Sequence, residues 1–430
     1  MERLEKYIKQ IRGISYSPED ILLTQDKGFL PVLKANNIQE GILQTGNLIY
    51  IHKSKIKDQQ FIRKGDILIA ASSGSKAIVG KSVFFKEDFN GGFGAFCKVI
   101  RPNENMYPQF VSLFFKTPTF KRHILKVIQG ANINNLRNED IDSLKIPKFL
   151  FQEQIKIATL LGNVEVLIKL RKESIDLLDV FLKSTFLKMF GDLEGDLIQF
   201  SKLCIVNPKK SEINSIDKNT IVSFVPMASV SENGEIDLSK ERKIENVWAG
   251  FTYFQENDVV FAKITPCMEN GKGAIMKNLK NKIGFGTTEF HVLRPTPSLS
   301  NAAWIYHTTL QNSFRKKAEQ SMTGSAGQKR VPTDYFDKYK VVTPPFQLQE
   351  KFAEIVEKID SQKKICQSSL QELENLFSSL SQKAFKGELD LSSMDKVKQT
   401  KDISTNKQIE SRVETIFLPK KKDTKRKVLL

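Results

Sequence analysis

The segment Gly74-Ser75-Lys76-Ala77-Ile78-Val79-Gly80-Lys81-Ser82 has the residue types of a phosphate-binding loop: glycines that let backbone amides converge, then a lysine and a hydroxyl. Its spacing is wrong. Five residues separate the glycines, whereas the phosphate loop has four, and an amide cradle depends on its length. Asn207-Pro208-Lys209-Lys210 lacks the aromatic residue with which amino-methyltransferases stack a flipped base. Gly91-Gly92-Phe93-Gly94 is too short for a dinucleotide fingerprint and reads as a structural turn. His52, His123, His291 and His307 show no metal-ligand spacing. Cys97, Cys204, Cys267 and Cys366 lie far apart with no Cys-x-x-Cys pair, so reduced thiols and a cytoplasmic setting are expected. No motif nominates a catalytic centre or a cofactor site in this chain.

Charge points to a partner. Lys and Arg number 66 against 49 Asp and Glu, a formal net charge of +17 over 430 residues. That balance favours a polyanion, because each neutralised phosphate releases condensed counterions. Ribosome-binding and membrane-surface proteins share the same excess. The 40% hydrophobic content suffices for packed cores, and the length suggests two or three domains. Neither a signal peptide nor a membrane span is expected: the start Met1-Glu2-Arg3-Leu4-Glu5-Lys6 has no apolar run, and no stretch approaches the roughly 20 apolar residues a bilayer requires.

The elements that must position any functional residue occur twice. Gly65-Asp66-Ile67-Leu68-Ile69-Ala70 recurs as Asn257-Asp258-Val259-Val260-Phe261-Ala262. Gly92-Phe93-Gly94-Ala95-Phe96-Cys97-Lys98-Val99-Ile100-Arg101-Pro102 is answered by Gly284-Phe285-Gly286, then Glu289-Phe290-His291-Val292-Leu293-Arg294-Pro295. Gly130-Ala131-Asn132-Ile133-Asn134-Asn135-Leu136 has its counterpart in Gly324–Val331. Each fragment alone reads as a buried strand ending in a turn. Three in the same order mean a tandem duplication. A helical stretch follows in each half, Tyr107–Lys126 and Ala302–Gln320, so each globular part is α+β.

A different period then takes over. Ile157, Leu161, Val164, Ile168, Ile175, Leu178, Leu182 and Met189 keep a 3,4 spacing, interrupted by Arg171 and Thr185. Phe352, Val356, Ile359, Leu370, Leu373, Phe377, Leu380 and Ala384 repeat it in the same phase, interrupted by Lys363 and Cys366. This is the signature of a coiled coil, and antiparallel pairing would let residues 192–345 plug into the gap between the two helices. At about 1.5 Å per residue each helix would span roughly 55–60 Å, holding two related heads apart. The outer faces, with Phe181, Phe186 and Phe190, exceed what one seam buries. The expected order is a first globular domain (1–150), a long helix (151–191), a second globular domain (192–345), a second long helix (346–387) and a basic, disordered tail (388–430).

Phe224-Val225-Pro226-Met227-Ala228-Ser229-Val230, Phe261–Lys272 and Gly284–Pro295 together resemble a target recognition domain of Type I restriction–modification specificity subunits. Pro344-Pro345-Phe346-Gln347-Leu348-Gln349-Glu350 resembles the proline-rich lead-in to that family's helices; the first half departs there but keeps Glu153-Gln154. The resemblance implies a non-catalytic subunit in which each head reads one half of a bipartite double-stranded DNA target and the helices set the spacer. It implies two modification subunits that carry S-adenosylmethionine, and restriction subunits that carry ATP and magnesium.

Lys and Arg on phosphates would then supply affinity, and loop side chains at base edges specificity. The candidates in the first head are Ser72, Ser73, Ser75, Lys76, Lys81, Asn132, Asn134, Asn135 and Arg137. In the second they are Lys263, Thr265, Glu269, Asn270, Lys272, Gln328, Lys329 and Arg330. Two rival readings are a coiled-coil scaffold with two heads that bind something other than DNA, and an enzyme with an unrecognised active site.

Overall fold

The structure, a computed structural model, describes residues 1–39, 42–129, 135–325 and 327–391. The expected basic tail lies almost wholly outside them. Two compact units emerge, one made of residues up to Leu170 with those from Leu370 on, the other of Arg171–Ser369. Each holds one head with the adjoining parts of both long helices.

The duplication is visible strand by strand. In the first unit a four-stranded antiparallel sheet has the order Ile8–Arg12, Cys97–Pro102, Ile67–Ala70, Ser82–Phe84. In the second the order is Cys204–Val206, Phe290–Pro295, Val259–Ala262, Gly273–Ile275. The apolar runs Ile67–Ala70 and Val259–Ala262 are buried throughout because both faces of these central strands are covered. A second sheet in each unit, three-stranded in the first and four-stranded in the second, contains a parallel pair: Val32 opposite Gly92 and Leu33 opposite Phe93 in the first unit, Phe224 opposite Phe285 and Val225 opposite Gly286 in the second.

Two expectations for the heads change, and one rejected motif stays rejected. The Gly92-Phe93 segment is a strand rather than a turn, and its counterpart is the strand Ile283–Gly286. There the glycine permits close approach: a Cβ on Gly286 would lie 2.5 Å from the Val225 carbonyl oxygen. The stretch Tyr107–Lys126 divides into helices Pro108–Phe114 and Pro118–Gln129, and Ala302–Gln320 into Ala302–Thr309 and Asn312–Ser321. The segment Gly74–Lys81 runs into the strand Ser82–Phe84, not into the helix that would follow a phosphate loop.

Each head has a buried ionic anchor at the start of its central strand. Arg101 donates to Asp66 from Nε (2.8 Å) and Nη2 (2.7 Å); Arg294 donates to Asp258 from the same atoms (2.7 and 2.8 Å). Both aspartates are buried, and each also accepts a backbone N–H, from Arg63 or from Gln255. A carboxylate so enclosed is tolerated because its lone pairs are filled.

The long helices span Phe151–Phe190 and Phe346–Lys386. In the first unit Ile157, Ala158 and Leu161 share a core with Ala384 and Phe385; in the second Leu182 and Phe186 share one with Phe352, Val356 and Ile359. The start of one helix meets the end of the other in each case, so the pairing is antiparallel. Two of the interruptions face one another, the Arg171 guanidinium donating to Cys366 Sγ (3.5 Å), and a third, Lys363, pairs with Asp179 of the other helix. Of the three phenylalanines expected outside the seam, only Phe181 is exposed. Phe186 is 5% exposed and, with the half-buried Phe190, stacks edge-on against Phe352, because the second head packs onto this end of the helix.

A glutamine ties each head to a helix start. Gln154 accepts the Tyr107 N–H (2.8 Å) and donates to the carbonyls of Asn105 and Phe149 (3.2 Å each). Gln349 accepts the Asn301 N–H (3.1 Å) and donates to Leu299 (2.9 Å) and Pro344 (3.1 Å). Gln349→Leu removes all three bonds and strands buried backbone groups, at a cost of about 2–4 kcal/mol. Thermal or denaturant unfolding of the full chain is expected to show that loss, and Gln154→Leu a similar one.

Candidate nucleic-acid interface

In the first head the central strand ends at Ala70, and the chain emerges at Ser72. The N–H groups of Ala71 and Ser72 both donate to the Phe96 carbonyl (2.9 Å each), and Leu136 N–H donates to the Ala71 carbonyl (2.8 Å). Ser72 and Asn135 form an antiparallel bridge. Two candidates far apart in sequence are thereby brought together. Ser75 and Lys76 are exposed on the loop that follows, and half-buried Lys81 closes it, its carbonyl accepting the Ala70 N–H (2.9 Å). Arg137 is exposed at the start of helix Asn138–Asp142. Asn132 and Asn134 lie outside the described residues.

The second head builds the same mouth with the same bonds. Lys263 N–H donates to the Glu289 carbonyl (2.9 Å), Val331 N–H to the Lys263 carbonyl (2.9 Å), and Ala262 N–H to the Lys272 carbonyl (3.1 Å). Ile264 bridges Arg330, so Lys263, Thr265, Lys329 and Arg330 converge. Thr265 is fixed twice, its N–H on the Lys329 carbonyl (3.0 Å) and its Oγ1 on that of Gly327 (3.2 Å). Arg330 grips Glu289 through Nε and Nη2 (2.9 Å each) and donates from Nη1 to the Gln328 carbonyl (3.1 Å). The guanidinium holds the Glu289 carboxyl below the usual range. The Asn270 amide donates to Glu232 (2.9 Å), and Glu269 beside it is exposed.

Each mouth is supported from beneath by one polar side chain at an equivalent position. Lys98 Nζ donates to the Leu136 carbonyl (2.8 Å) and to Asn138 (2.7 Å), and burial pulls its pKa down. His291 places Nε2 2.8 Å from the Val331 carbonyl, while its Nδ1 lies 3.2 Å from the Asn207 amide nitrogen. Nε2 therefore carries the proton and Nδ1 accepts, the neutral form that burial enforces by pushing the pKa down to about 4.

Sequence reasoning missed two features. Lys209 and Lys210 join Lys263, Tyr253 and Thr288 around a cleft of about 330 Å³ beside the second mouth; the lysine doublet was the available signal. Phe96 stands 66% exposed at the lip of the first mouth, where its place in an apolar repeat suggested core. Among the described residues no group of His, Cys, Asp or Glu could hold a metal ion, and no helix is long and apolar enough to cross a membrane. Cys97, Cys204 and Cys366 are buried and Cys267 half-buried, all as free thiols.

The family described as Type I restriction modification DNA specificity domain matches residues 10–179 and 203–375, once on each head with its helix. The chain belongs to that family. It is 28% identical over 404 residues to the specificity subunit of the Type I restriction enzyme EcoKI from Escherichia coli, covering 88% of this chain and 86% of that one. It is 42% identical over 154 residues to the EcoAI specificity subunit of Escherichia coli, covering 35% of this chain and 25% of the relative. Among solved structures, a chain from work on complex assembly and conformational transition of the type I R-M system matches with a TM-score of 0.52 at 16% identity, covering 89% of this chain and 98% of that one. As a Type I specificity subunit, the molecule recognises DNA through two domains.

The His291 environment has a pH signature. Its folded pKa lies below the ordinary 6.5, so the unfolded chain binds more protons between about pH 6.5 and 4, and stability falls as pH falls through that window. His307, buried against Phe186 and Phe352 and also pushed down to about 4, adds in the same direction. At pH 5 the loss is about 2 kcal/mol per imidazole. His291→Gln keeps a donor for the Val331 carbonyl and removes one titration; unfolding midpoints measured from pH 7 to 5 are expected to fall less steeply in that variant.

Proposed function

We propose that each head reads one half of a split duplex through its mouth, as the non-catalytic specificity subunit of a cytoplasmic Type I restriction–modification complex. The observation that carries this is the pair of mouths: one hydrogen-bonded frame built twice, with different side chains presented to solvent. In the first, Ser72, Ser73, Ser75, Lys76, Lys81, Asn135 and Arg137 contact DNA. Lys263, Thr265, Lys272, Gln328, Lys329 and Arg330 do so in the second, with Glu269 and Asn270 at its edge. Lysines on phosphates give salt-dependent affinity, and the amides, hydroxyls and Arg330 address base edges.

Methyl transfer and cleavage belong to partners in this reading: two modification subunits with S-adenosylmethionine, and restriction subunits with ATP and magnesium. The first long helix supports it. Beside its seam it leaves Leu177, Val180, Phe181 and Leu187 exposed, an apolar face of the kind that marks a protein interface.

Exchanging residues 193–345 for another recognition domain is expected to change one half of the methylated motif and leave the other intact; a change in both halves would refute independent heads. Lys263→Ala with Lys329→Ala is expected to weaken binding of all sequences alike and to reduce the slope of log K against log salt by about 2. Phe181→Glu is expected to abolish co-purification with modification subunits while leaving the chain's circular dichroism unchanged.

A further inference from the structure

The shared backbone frame makes the two mouths comparable atom by atom. Cys97 lies opposite Ala70 in one sheet and Phe290 opposite Ala262 in the other, so Phe96 occupies the position of Glu289. The carbonyls confirm it: Phe96 O accepts from Ala71 N–H and Glu289 O from Lys263 N–H, each at 2.9 Å. By the same logic Asn135, bridged to Ser72, occupies the position of Arg330, bridged to Ile264. Two neighbouring positions at the lip of the mouth have thus been replaced together. One head has an exposed aromatic ring and an amide, the other a carboxylate and a guanidinium in a bidentate pair.

Neither replacement serves the core. Phe96 is 66% exposed, and the Arg330 side chain is 41% exposed in spite of its pairing. A surface phenylalanine costs solvation, and a fixed surface ion pair contributes little stability. Both suit DNA. An asparagine amide matches the N6/N7 edge of adenine, a phenylalanine ring packs on a thymine methyl, and an arginine matches O6/N7 of guanine. Arg330 uses three of its five N–H donors on Glu289 and Gln328, which fixes the plane of the guanidinium and leaves two donors for a base edge.

We propose that this pair of positions, Phe96 with Asn135 and Glu289 with Arg330, is the base-reading pair of each half-site. Asn135 and Phe96 read an adenine and a neighbouring thymine methyl; Arg330, aimed by Glu289, reads a guanine. The proposal rests on the reading that both mouths face DNA, and goes further by assigning two equivalent specificity positions and the bases they select.

The test uses the complex assembled with its modification subunits and maps the methylated motif. Phe96→Glu with Asn135→Arg transplants the second pair into the first head; the expected result is a guanine preference at one position of the first half and an unchanged second half. Arg330→Lys is expected to cut discrimination at one position of the second half about tenfold or more, and Phe96→Ala to relax one position of the first half only. Should the double variant lose DNA binding, these two single variants decide. Unchanged base preference in both overturns the proposal, as does weakening that is uniform over all sequences, which would make these side chains phosphate contacts. A wild-type complex that methylates no split motif would instead sink the underlying reading of the two heads.

Discussion

Each long helix depends on one buried amide. A helix start leaves backbone N–H groups without intrahelical partners, and a chain entering it from a sheet brings carbonyls that must also be satisfied. Gln154 and Gln349 link the two problems. Each side chain bonds backbone from the segment before the head's own helix (Asn105 and Tyr107, or Leu299 and Asn301) and from the segment just before the long helix (Phe149 or Pro344). An apolar contact tolerates rotation, whereas three directed bonds to two chain segments do not. The amide therefore sets the direction in which the helix leaves the head.

With the helices fixed, the sheets are free to serve as identical frames. The Asp66–Arg101 and Asp258–Arg294 anchors sit near the start of the central strands, and the mouths open at the other end. Breaking such a buried pair costs roughly 3–5 kcal/mol, far more than exchanging an exposed loop residue. Stability is thus concentrated at one end of the strand and variation at the other. Lys98 and His291 show where the division runs. Both donate to the same carbonyl position, Leu136 or Val331, although one is a cation and the other a neutral ring. The frame needs a donor there and is indifferent to its chemistry, while the lip just above it changes completely.

How much of this the sequence discloses follows from the same division. The duplicated strands were legible because burial on both faces writes an apolar run, and the paired helices because a seam writes a seven-residue period. The retained glutamine was visible too, in Gln154 and Gln349, though not that it is buried. Phe186 and Phe190 misled because the first long helix is apolar on several faces, so periodicity cannot say which is covered by a head. Gly92-Phe93 misled because a glycine that admits a parallel neighbour looks like one that makes a turn. Phe96 was hidden by its company: it stands next to the buried Cys97, and only the register of the hydrogen bonds shows that the chain has already reached the surface.

The polar breaks in the seam complete the argument from helix direction to function. An antiparallel pair held only by leucine-like contacts could slide by a heptad at small cost, since each apolar residue would meet another. In the second unit Arg171 faces Cys366 and Asp179 faces Lys363. A slip of seven residues, about 10 Å along the helix, would set the guanidinium against an apolar layer and leave both members of the ion pair without partners. The Lys363 side chain is 17% exposed and that of Asp179 48%, so the matched pair stabilises little and the cost of a slip falls mainly on the half-buried lysine and guanidinium. Their contribution is to register more than to stability. The Gln amides fix how each helix leaves its head, and the seam charges of the second unit fix the register of one helix on the other there, so both reside in polar groups that an apolar pattern alone does not specify.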